Sequence, residues 1–111
     1  MCLLTLVNAR VCAFSFADGK LLWYTSAELF GRPVSVDIDS NDRILVADNY
    51  LNRIAILSSP TSKDYFGGEE EVFVVKELLH WVSLEKPTAV RIHPTNGRVY
   101  VVMNSNSLAL L

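Results

Sequence analysis

The stretch RPVSVDIDSNDRILVADNYLNRIAIL, residues 32–57, decides the fold. Within it Val34, Val36 and Ile38 alternate with Ser35, Asp37 and Asp39, the period of two that a half-buried strand requires. Ser40, Asn41 and Asp42 then make a polar turn. Residues 43–47 are apolar on both faces, as in a strand buried between two layers. A second polar turn, 48–52, leads into the apolar run 54–57. Short strands joined by tight turns make an antiparallel meander.

Working outward, the same order of strands recurs about 54 positions later. Pro33-Val-Ser-Val-Asp-Ile is matched by Pro87-Thr-Ala-Val-Arg-Ile, and Arg43-Ile-Leu-Val by Arg98-Val-Tyr-Val. Asn52-Arg-Ile-Ala-Ile-Leu is matched by Asn106-Ser-Leu-Ala-Leu-Leu. A fainter copy lies ahead, where Arg10-Val-Cys-Ala-Phe-Ser aligns with Arg53-Ile-Ala-Ile-Leu-Ser. Further strand signals fall at 3–7 and at 20–24 after the Asp18-Gly19 turn. The repeating unit is therefore a four-stranded meander, A to D, expected at 33–39, 43–47, 53–58 and 71–78, while 76–83 reads as a strand end or one helical turn. Repeated four-stranded units are the mark of a β-propeller, with a plain β-sandwich as the alternative. The expected fold is all-β: a partial blade over 1–30, a complete one over 31–80 and a partial one over 81–111. About two and a half blades do not close a ring, so the chain is expected to join further blades of a longer protein or to associate with itself.

Composition narrows the function. The 111 residues carry a net charge of −2 and are half hydrophobic. That is ordinary for a globular chain and unlike a general phosphate-binding protein. With only Cys2 and Cys12 there is no disulfide framework, and without a Cys/His cluster no zinc site is expected. No apolar run is long enough to span a bilayer. No basic residue precedes 3–7, so that run reads as a strand and not as a signal segment. Without an Asn-x-Ser/Thr acceptor either, a cytoplasmic location is the expectation.

Residues 32–57 resemble an NHL repeat: a proline before strand A, the run Arg43-Ile-Leu-Val-Ala-Asp48, and Asn52-Arg-Ile into strand C. The copy at 86–111 keeps the proline, Gly97-Arg-Val-Tyr-Val and an asparagine, with Met103 where Asp48 stands and Ser107 where Arg53 stands. The hairpin Phe16-Ala-Asp-Gly-Lys-Leu-Leu-Trp-Tyr24 is similar to those in the C-terminal propellers of tripartite-motif proteins of the ubiquitin-ligase type. The resemblance implies a six-bladed parent propeller and recognition of a protein or, in some relatives, a stem-loop RNA. The RING, B-box and coiled-coil patterns of a ligase do not occur in these residues.

No catalytic constellation emerges. His80, placed by this strand map in a D–A connection, and His93, at the end of an A strand, fall at opposite ends of strands. Phosphate-loop and nucleophile-elbow runs do not occur. Asp37, Asp39, Asn41 and Asp48 fall at calcium-loop spacing, but the loop's glycine and final glutamate are missing and the flanks read as strands, so an acidic turn is expected. Glu69, Glu70 and Glu71 read as a solvated loop edge. Phe14, Phe16, Trp23, Tyr24 and Phe73 read as packing between blades. Asp48 and Arg53 flank the B–C turn and are expected to pair, a structural role.

In a meander blade the D–A and B–C connections emerge on one face. Sorted this way, that face is slightly positive, whereas the other holds the surplus acid. It carries the expected partner-binding set, Arg32, Tyr50, Asn52, His80, Trp81 and Lys86. A protein partner is expected, with RNA the lesser option on so weak a positive bias, and no cofactor or membrane. The rival reading is a metal-dependent six-bladed propeller enzyme of the gluconolactonase or lyase type, to which Asp37, Asp39 and His93 would contribute.

Overall fold

A computed structural model describes residues 2–59, 73–104 and 107–111. Among these residues the only regular elements are eleven strands. They are β1 (Cys2–Val7), β2 (Arg10–Ser15), β3 (Leu21–Thr25), β4 (Pro33–Ile38), β5 (Arg43–Asp48), β6 (Arg53–Ser58), β7 (Phe73–Val75), β8 (His80–Ser83), β9 (Pro87–Ile92), β10 (Val99–Met103) and β11 (Leu108–Leu110). They form three sheets, ordered β1-β2-β3-β7, β4-β5-β6-β8 and β9-β10-β11. The chain is thus all-β, with meander-like sheets consistent with partial propeller blades. By order along the chain, β1 is a B strand, β4 and β9 are A strands, and β11 is a C strand.

Two apolar clusters hold the sheets together, and β5 contributes to both. Ile44 and Val46 join Val11, Ala13, Trp23, Phe30, Ala55, Leu57 and Val75 between the first and second sheets. Leu45 and Ala47 join Ile54, Val90 and Val101 between the second and third. Successive side chains of a strand point to opposite faces, so an all-apolar strand is what a middle layer requires. Each fully buried Ile, Leu or Val contributes about 1.5–3 kcal/mol of transfer free energy.

The A strands share a device. Pro33 opposes Asp48 and Ser35 opposes Ala47, which leaves Val34 as the extra residue of a β-bulge. Pro87 opposes Met103 and Ala89 opposes Val102, which leaves Thr88 in the same place. Proline at a strand's first position gives up only a donor that the ladder lacks there anyway. The bulge that follows restores pairing.

The fourth strand is where sequence and structure part. The expected D strand at 71–78 is replaced by β8, which pairs antiparallel with β6 from Arg53↔Ser83 to Ile56↔His80. Residues 73–75 instead form β7, which lies parallel to β3 in the first sheet, Trp23↔Phe73 to Thr25↔Val75. The reason is burial: Val75 enters the cluster between the first two sheets, which it reaches from the β3 edge. His80 and Trp81 accordingly lie within a strand, not in a D–A connection. Among the aromatic residues, Trp23 is buried as expected but Phe16 lies in a turn and is exposed. The Glu69–Glu71 reading lies outside the described residues.

Candidate functional site

Asp48 ends β5 and has no exposed surface. Its carboxylate accepts hydrogen bonds from the backbone N–H of Gly31 (3.0 Å), Arg32 (2.9 Å) and Leu51 (3.4 Å), and from Arg53 Nε (3.3 Å). The Arg53 guanidinium also donates to the Leu29 carbonyl at 2.6 Å. A buried carboxylate must be matched in this way, since its desolvation would otherwise exclude it. One side chain thereby clamps the segment leading into β4 onto the β5–β6 turn. The fit leaves no slack: a Cβ on Gly31 would come within 2.8 Å of the Tyr50 ring and 2.9 Å of Leu51 Cγ.

The clamp presents Arg32, Tyr50 and Leu51 to solvent, and Tyr50 is 70% exposed. Asn52, at φ +53°, accepts Lys86 N–H at its side-chain oxygen (3.0 Å) and Leu84 N–H at its carbonyl (3.0 Å). This ties the turn of the second sheet to the entry of the third. The entries themselves repeat: Arg32 O accepts Asn49 N–H and Lys86 O accepts Asn104 N–H, both at 2.9 Å. Met103 cannot serve Lys86 N–H as Asp48 serves Arg32 N–H, and the neighbouring blade's Asn52 takes over that bond. Arg32, Tyr50, Asn52 and Lys86 are thus joined through one hydrogen-bonded network of turns. Asp48 has no exposed surface and the Arg53 side chain little, whereas Arg32, Glu85 and Lys86 are exposed.

Trp81 and His80 stand beside this network, on the outer strand. Trp81 is 54% exposed, and the Arg53 guanidinium sits 6.0 Å from its ring centroid. In the first sheet Arg10 lies 5.4 Å from the Tyr24 ring. Tyr24 opposes Cys12 as Trp81 opposes Ala55, so the two Arg–aromatic pairs are the same repeat position. The alignment of Arg10 with Arg53 was the available signal. The misplaced D strand hid the aromatic half.

At the other end of the strands, the acidic groups are occupied by the fold. Asp37 accepts Ile38 N–H and, from the next sheet, Ile92 N–H (2.8 Å). Asp39 accepts the N–H of Asn41 and Arg43 and the Arg43 guanidinium at 2.7 Å. Burial works against its charge, but the Arg43 and Asn41 backbone bonds and the guanidinium outweigh that and hold its pKa below the ordinary value. His93 Nδ1 caps its own turn, facing Thr95 and Asn96. Asp39 and His93 share a polar hollow of about 420 Å³. Asp48 lies at the far end of β5, about 17 Å along at ~3.4 Å per residue, so the calcium-loop spacing gathers no site. Among the described residues no group of three or more His, Cys, Asp or Glu could hold a metal ion. Burial raises the Cys12 thiol against the pull of nearby Arg10, the opposite of what a nucleophile needs.

The NHL repeat pattern matches residues 30–57, which span the segment leading into β4 and run to Leu57 in β6. With the three meander-like sheets, this defines an NHL-repeat-like β-sheet chain, consistent with a member of the propeller class. No curated protein matches the chain.

Proposed function

We propose that the chain is a non-catalytic interaction module that binds a protein through the turns around Arg32, Tyr50, Asn52 and Lys86, with Trp81 and His80 at the flank. The observation that carries this is Tyr50, which is 70% exposed on a turn held rigid by the buried Asp48. An exposed aromatic beside arginine and lysine, on a preorganised turn, is the make-up of an interface hot spot. The NHL match at 30–57 supports a recognition role. In this reading the module serves substrate recognition in a cytoplasmic ubiquitin ligase of the tripartite-motif type, whose catalytic domains lie in other parts of that protein. Its remaining blades, or further copies of this chain, complete the ring.

The described residues contain no helix long and apolar enough to cross a membrane. RNA is the lesser ligand because the exposed acids Glu28 and Glu85 offset Arg32 and Lys86 at this face, which leaves too little net positive charge for strong phosphate attraction. The test is site-specific photo-crosslinking from position 50 in cells, against position 95 at the other end of the strands. A protein captured only from position 50, and bound about 30-fold more weakly by Tyr50→Ala, supports the reading. RNA captured from position 50, or equal capture from both positions, refutes it.

A further inference from the structure

At the turns around Tyr50 the backbone is already engaged. The N–H groups of Gly31, Arg32 and Leu51 go to the Asp48 carboxylate. That of Asn49 goes to the Arg32 carbonyl, and those of Leu84 and Lys86 go to Asn52. The Leu29 carbonyl is taken by Arg53. A partner strand therefore finds no free ladder at these turns, and recognition falls to side chains. Two of these are aromatic, polar-tipped and exposed: Tyr50 at 70% and Trp81 at 54%. Among the described residues neither the Tyr50 hydroxyl nor the Trp81 indole N–H has a hydrogen-bond partner.

The two rings stand over one short stretch of chain. Tyr50 packs against Gly31, where a Cβ would meet its ring at 2.8 Å. Trp81 lies against the Arg53 guanidinium, 6.0 Å from the ring centroid, and that guanidinium holds the Leu29 carbonyl at 2.6 Å. Leu29 and Gly31 are next-but-one neighbours, so their Cα atoms are at most about 7 Å apart. One turn of polyproline II helix advances about 9 Å, so a peptide of one or two turns reaches both rings. Charge selects against other peptides. The exposed acids Glu28 and Glu85 offset Arg32 and Lys86, and the Arg53 guanidinium beside Trp81 is matched by Asp48 at 3.3 Å. The face therefore favours neither a polyanion nor a polycation.

Resting on the protein-binding role proposed for this face, we infer that what it recognises is an uncharged, proline-rich segment in the polyproline II conformation. Such a segment makes no internal hydrogen bonds, and its prolines carry no N–H. It presents carbonyl acceptors and pyrrolidine faces, the complements of two unpartnered donors and two open rings. The Tyr50 hydroxyl and the Trp81 indole N–H donate to carbonyls of the segment, and the rings pack against its prolines. The segment holds its conformation before binding, as the Asp48 clamp holds the turn, so neither side loses much freedom on association.

The probe is acetyl-decaproline amide, titrated into the intact chain while NMR follows the Trp81 indole N–H and the Tyr50 ring. Both signals should shift, and the indole of Trp23, buried on β3, should stay in place. Tyr50→Phe and Trp81→Phe each keep a ring and remove the donor, so each should weaken binding at least about threefold, the first with an unchanged urea midpoint. Affinity should vary by less than about twofold between roughly 0.02 and 0.5 M salt. Signals that stay in place at millimolar probe would overturn the proline-rich ligand. So would equal binding of acetyl-hexaglutamate or acetyl-hexalysine amide, or Phe variants that bind as tightly as the unaltered chain. Crosslinking from position 50 separates this from the broader role. A protein captured there by a chain that ignores decaproline leaves the protein-binding face standing and removes the proline-rich ligand.

Discussion

Asp48 shows how much one residue can carry when its charge is buried. It satisfies two amides of one segment, a third in its own turn, and a guanidinium. Asp48→Ala should therefore cost about 3 kcal/mol or more in urea unfolding, because it leaves Arg53 Nε and three amides without their acceptor. Arg53→Ala should also destabilise, and the double variant should cost less than the sum, since each change removes the same bond. Additive costs would show that the two side chains act separately. At the opposite end of β5, Asp39 has a lowered pKa, so its bonds stabilise the fold above the ordinary carboxylate value and are lost as pH falls through the lowered one. Asp39→Asn should accordingly flatten the loss of stability below about pH 4 and lower the plateau at neutral pH. An unchanged acid limb would show that other groups dominate it. The Asp48–Arg53 pair could be read from spacing alone, because both partners flank one turn. The amides of Gly31 and Arg32 could not, since a backbone donor leaves no mark on side-chain pattern. The replacement of Met103's missing acceptor by Asn52 was hidden for the same reason.

At the level of strands, β4 to β6 and β9 to β11 were legible because their periodicity, prolines and turns agree with one another. The D strand was not. Residues 72–75 have the stronger β-forming character, and His80–Ser83 is short, polar at both ends and only half covered. Local propensity marked a strand at 73–75 without saying which sheet it would join. Long-range burial of Val75 decided that. Val75→Asp tests the assignment: an unpaired buried charge there should cost about 3 kcal/mol or more and expose the Trp23–Thr25 amides to exchange before those of β6. Earlier exchange in β6 would return this segment to the second sheet. The β1–β2 hairpin offers a milder check. Ala9 holds a left-handed conformation that glycine adopts freely, so Ala9→Gly should raise stability by about 1 kcal/mol, less any entropy gained by the unfolded chain.

Across the whole molecule, the two outer strands differ from the middle layer in what they leave uncovered. Leu108, Leu110 and Leu111 are all largely exposed at the β11 end. An apolar sheet edge of this kind invites pairing with another chain. Sedimentation should show concentration-dependent association that Leu110→Lys reduces, and a monomer at all concentrations would count against an incomplete array. The β7 crossing has a further consequence. The chain leaves the second sheet after β6, contributes β7 to the first, and returns to finish the second with β8. The sequence repeat and the folding unit are therefore out of step, and the two sheets are sewn by a single thread. Excising or duplicating one repeat by its sequence boundaries would cut a strand from each sheet. The unit that evolution or an engineer can move intact is the pair of blades, not the blade.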